Sequence, residues 1–90
     1  MGYNDERGRA PTRMAGIVGQ GLLRQVVAVR NLSVTGAMVE LVSPPIKGEA
    51  LRFECTATGA VDARVAWVVG NRCGLLFDRP IVPQLSEAVA

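Results

Sequence analysis

The sequence predicts an all-β fold, a small six-stranded antiparallel β-barrel with a flexible N-terminal arm. Three observations carry that expectation. Apolar and polar residues alternate with a period of two in the second half, turn residues cut the chain at strand-like intervals, and 90 residues leave room for one core only. With 49% hydrophobic against 20% charged residues, the chain has enough apolar surface to fold unaided.

Residues 1–13 are polar and charged, and Gly2, Gly8 and Pro11 interrupt any helix, so this stretch reads as a mobile arm. The barrel is expected over 14–80. The compact run 14–30 leaves a short first strand before the Gly19-Gln20-Gly21 turn, and 22–30 and 37–42, rich in valine and leucine, read as the next two strands. In 51–56, Leu51, Phe53 and Cys55 share one face while Arg52, Glu54 and Thr56 share the other. In 61–69 the odd positions are all apolar, which assigns Trp67 to the core together with Phe53 and Phe77. Gly70-Asn71 is a strong two-residue hairpin signal, and Cys73, Leu75 and Phe77 continue the inward phase beyond it. Closing six such strands into a barrel removes the edges that a meander would expose. Pro80 and Pro83 end the last strand, and the tail 81–90 has room for a short helix over 84–90.

Several functions are excluded by composition. Without histidine, no Ser-His-Asp or Cys-His arrangement can be drawn, so no catalytic residue is expected. Cys55 and Cys73 lack any metal-ligand spacing and read as small core residues, so neither a metal nor a resident cofactor is expected. No run approaches a membrane span or a signal peptide, which points to a cytoplasmic protein with reduced thiols and no membrane partner. The net charge of +2 is too small for a general DNA or RNA binder, so an anion site must be local. A barrel for single-stranded nucleic acid would also want exposed aromatics on a basic strand face, whereas the few present fall on the core phase.

Two constellations stand out. Arg9 and Arg13 lie four apart at the junction of arm and barrel, and Asn31-Leu32-Ser33-Val34-Thr35-Gly36 is a polar turn between strands, in which the Asn side chain would cap backbone N–H groups and Gly36 would take a positive φ. Each alone is ordinary. Their order, followed by Val65-Ala66-Trp67 and Gly74-Leu75-Leu76-Phe77, resembles the pattern of the PilZ domain family: RxxxR, [D/N]xSxxG about twenty residues later, a V-x-W strand and a G-x-x-F strand. The resemblance runs from Arg7 to Phe77. It implies a six-stranded barrel that binds the bacterial second messenger cyclic di-GMP without catalysis, with Arg9, Arg13, Asn31, Ser33 and Gly36 as ligand-binding positions. It further implies a protein partner in motility, pilus or exopolysaccharide control.

The residue chemistry agrees with this. A guanidinium fork bonds bidentately to phosphate oxygens or to guanine O6 and N7 and stacks on a purine face, while Asn31 and Ser33 offer short, nearly rigid polar contacts. Asn31 stands where Asp is more frequent in the family, which keeps the acceptor oxygen and loses its charge. The competing expectation is an interaction adaptor of the same fold that binds a protein and no nucleotide.

Overall fold

A computed structural model of the chain describes residues 10–82. Six strands form, β1 (Ala10–Gln20), β2 (Leu23–Leu32), β3 (Gly36–Glu40), β4 (Ala50–Cys55), β5 (Gly59–Val69) and β6 (Arg72–Phe77). They close in the order β1-β2-β3-β6-β5-β4, and every neighbouring pair is antiparallel. The six-stranded antiparallel barrel expected from the alternation is the fold. Closure rests on β1 meeting β4, where Ile17, Val18 and Gly19 pair with Glu54, Phe53 and Arg52.

The turn signals sit close to the hairpins, although β1 runs on through Gly19 and Gln20 and the first turn is Gly21-Leu22. Gly70 takes φ +58° and Asn71 stays at negative φ, a combination that a two-residue type II′ turn needs and that a side chain at the first position would resist. β1 departs from expectation: it spans 11 residues and starts at Ala10 instead of being short. The reason is pairing, since Ala10 lies opposite Leu32 and Pro11 opposite Asn31, so the backbone of 10–13 extends the β1–β2 ribbon. The rest of the arm, 1–9, and the proposed helix over 84–90 lie outside the described residues.

One face of each strand fills the barrel. Phe53, Val29, Val39 and Cys73 are fully buried, with Leu32 and Val65 close behind, and the rings of Phe53 and Phe77 stack with centroids 5.9 Å apart. In β4 the pattern is strict, with Leu51, Phe53 and Cys55 inside and Arg52 and Glu54 outside, as the period-two reading requires. Both cysteines are free and buried, and burial pushes the Cys73 thiol up, away from the reactive thiolate. No helix among the described residues is long and apolar enough to cross a membrane.

The loop from Leu41 to Glu49 is tied down by side chains. Gln25 on β2 donates to Ser43 O at 3.0 Å and accepts from Ser43 N at 3.3 Å. The Glu49 carboxylate accepts from Ile46 N and from Gln20 Nε2, both at 3.0 Å. These bonds, the backbone one first, hold its pKa below the ordinary glutamate value. A depressed folded pKa contributes stability above the unfolded glutamate pKa, and that contribution is lost as pH falls through the folded value. Glu49→Gln is therefore expected to be less stable than the parent at neutral pH, with the gap closing in acid. Denaturant melts of both proteins at several pH values check this; a gap that widens on acidification contradicts it.

Candidate functional site

β2 runs through Asn31 and Leu32, so the polar turn of the motif is only Ser33–Thr35, closed by Ser33 N donating to Gly36 O at 2.8 Å. The Ser33 hydroxyl makes the cap that the sequence reading gave to asparagine. It accepts from Gly36 N at 3.2 Å and lies 3.2 Å from Gly36 O, to which it donates. It also lies 3.5 Å from Thr35 Oγ1, so the hydroxyl is committed to its own turn. The turn is held from outside as well, by Phe77 N on Thr35 O and Ile81 N on Val34 O, both at 2.8 Å.

Gly36 has no positive φ, which corrects the turn reading given above. Its need is space: β3 approaches β6 so closely that a Cβ there would overlap the Leu75 carbonyl oxygen. Glycine at this position brings the turn down onto β6.

Three register shifts shape the outer surface. β1 slips against β2 between Pro11 and Met14, β2 against β3 between Val29 and Asn31, and β5 against β6 between Val65 and Trp67. A bulge re-aims the side chains around it. In β5 the inward run Val61, Ala63, Val65 ends at the extra residue Ala66, after which Val68 packs against the core and Trp67 turns outward, 38% exposed. Trp67 is therefore not a core residue, because the bulge reverses the phase on which that expectation stood. Its indole lies across β6 at Gly74, where any Cβ would overlap the ring.

The consequence is a continuous outer row. Asn31 pairs with Met38, Met38 with Gly74 and Gly74 with Trp67, and this row floors an open depression of about 620 Å³ walled by the Ser33–Gly36 turn, Leu76 and Ala66. One end of the floor is polar, where the Asn31 amide has no hydrogen-bond partner among the described residues. The other end is the flat indole. Among the described residues no charged side chain lines the depression. The backbone of β1 passes alongside, with Pro11 directly opposite Asn31. Among the described residues no group of three or more Cys, Asp or Glu gathers as a metal site would require.

This arrangement is joined by a match over residues 4–90 to the family model of the PilZ domain. The chain belongs to the PilZ family. No match is found among curated proteins. In this PilZ domain, Asn31, Ser33 and Gly36 come together on one depression. Arg13 is placed by its backbone in the β1 bulge at the rim, and Arg9 lies outside the described residues. Sequence reasoning missed Met38, Gly74 and the outward Trp67. A signal for the last was present, since 65–69 is apolar at every position and so breaks the alternation of 61–65. Chemically, the site offers a flat apolar floor for a planar ring, one amide able both to donate and to accept, and a neighbouring strand whose bulge includes Arg13.

Proposed function

We propose that this PilZ domain is a non-catalytic cytoplasmic receptor for cyclic di-GMP that relays the ligand's presence to a protein partner in motility, pilus or exopolysaccharide control. The observation that carries the reading is the meeting of Asn31, the Ser33–Gly36 turn and Trp67 on one depression beside the arginine-bearing end of β1. Membership of the PilZ family supports it.

In this reading Arg9 and Arg13 fold over the depression and bond to phosphate oxygens and to guanine O6 and N7. The Asn31 oxygen accepts from the guanine N–H edge, more weakly than a carboxylate would, and the indole of Trp67 packs against a base face. Ordering the arginine-bearing segment over the barrel costs conformational entropy, which the charge-assisted bonds offset, and the new surface is what the partner reads. The buried thiols Cys55 and Cys73 suit a reducing compartment.

Calorimetric titration with cyclic di-GMP tests the reading and yields stoichiometry. Trp67 is the chain's single tryptophan, so its fluorescence follows the same titration from within the site. Heat and a saturable fluorescence change are expected. Their absence overturns the receptor reading and leaves the nucleotide-free adaptor.

Base selectivity is a separate expectation. Adenine presents an N6 donor where guanine presents its O6 acceptor, so cyclic di-AMP would leave a guanidinium facing an N–H group. A loss of about 1–3 kcal/mol per base read is expected relative to cyclic di-GMP in the same buffer. Equal affinities would mean that only the phosphates are recognised.

A further inference from the structure

Arg30 is the residue that β2 inserts against β3, since Val29 pairs with Val39 and Asn31 already with Met38. From the other side, between the pairs Pro11–Asn31 and Met14–Val29, the same Arg30 stands opposite two residues of β1, Thr12 and Arg13. Two bulges on neighbouring strands thus meet at one rung. Val29 and Leu32 are buried, while Arg30 is exposed and Asn31 partly so, and two successive residues are turned to the outer surface beside the depression.

The charge of Arg30 is loosely committed. Its Nε lies 3.8 Å from Glu40 Oε1, with the guanidinium side chain 48% exposed, whereas the other Glu40 oxygen takes a 2.6 Å bond from Arg72 Nε. Glu40 therefore keeps its shorter partner when Arg30 leaves. No other ion pair of Arg30 occurs among the described residues. The rung that carries Arg30 also carries the backbone of Arg13, so an anion seated over this rung has a second basic residue on the neighbouring strand.

We infer that Arg30 is a third guanidinium of the ligand site, exchanging Glu40 for a phosphate oxygen of the bound cyclic dinucleotide. The inference rests on the receptor reading above. Glu40 is then a competitor for Arg30 in the empty domain, and Arg72 stabilises the carboxylate once Arg30 has moved. A purely structural Arg30–Glu40 pair would act on folding and would not give the two residues opposite effects on binding.

The test is a double-mutant cycle on cyclic di-GMP affinity in the full chain, with Arg30→Gln, Glu40→Gln and the pair together, and with melting temperatures recorded for each. Arg30→Gln is expected to weaken binding roughly tenfold or more and to flatten its salt dependence, because one charge-assisted contact fewer forms. Glu40→Gln is expected to tighten binding a few-fold, and that gain should vanish in the Arg30→Gln background. Arg30→Lys keeps the charge without the fork and should fall between parent and Arg30→Gln, which also serves if Arg30→Gln folds poorly. If the parent binds and Arg30→Gln binds as tightly, or if Glu40→Gln has the same effect in both backgrounds, this inference is wrong and the receptor reading stands. If the parent does not bind cyclic di-GMP, both are wrong.

Discussion

Replacing Arg9 and Arg13 together by alanine is expected to reduce cyclic di-GMP affinity by roughly a hundredfold to ten-thousandfold while leaving the melting temperature nearly unchanged. A hydrogen bond to a charged group contributes about 1.5–3 kcal/mol, so losing one such bond from each arginine removes about 3–6 kcal/mol, and about 1.4 kcal/mol is a factor of ten. Stability is expected to be spared because both are charged residues, whereas the core is built from apolar side chains such as Val29, Val39, Phe53 and Val65. The backbone of Arg13 takes part in the β1 bulge, and alanine retains that backbone. Calorimetry on the double variant, with a thermal melt alongside, decides the matter. Affinity equal to the parent's would take the arginine pair out of the site.

Phe53→Ala is the corresponding expectation for the barrel. The side chain is fully buried and stacks on Phe77, and β1 closes so tightly over it that a Cβ on Gly16 would come within 3.2 Å of its ring. Truncating a buried phenylalanine costs about 3–5 kcal/mol, as lost burial plus the cavity left behind. Small domains have about 5–15 kcal/mol in total, and one of this length lies toward the lower end. Most of the folded population should therefore be lost on modest heating, as a denaturant melt would show. A loss below about 1 kcal/mol would mean that neighbouring side chains collapse into the space, contrary to the cavity cost assumed.

The parts of the molecule that were legible in the sequence are those governed by local rules. Alternation placed Leu51, Phe53 and Cys55 inside, and Gly70-Asn71 marked a hairpin, because period-two burial and a positive-φ glycine each act within a few residues. What escaped depends on register between distant strands. The outward turn of Trp67 follows from an extra residue measured against β6, and the small size of Gly36 and Gly74 answers Leu75 and Trp67, neither of them a sequence neighbour. The length of β1 likewise reflects its pairing with β2 as far as Leu32, which overrides a polar and proline-containing sequence. For the site, the motif brought Asn31, Ser33 and Gly36 into view, but the capping work of Ser33 was assigned to the wrong residue, since either side chain can make that bond and only geometry decides.

The strand order has a consequence for how the protein is made. β3 finds its second neighbour only in β6, with Gly36 opposite Leu76, and the site row joins β2 and β3 to Gly74 and Trp67 near the other end of the chain. A nascent chain that has not yet released β6 from the ribosome leaves β3 and β5 with unsatisfied edges, open to association with other incomplete chains. Its outer row is also incomplete, because Gly74 joins Met38 to Trp67 and arrives only with β6. A chain truncated before Arg72 would thus lack both the middle of that row and the strand that closes the barrel, and would be aggregation-prone.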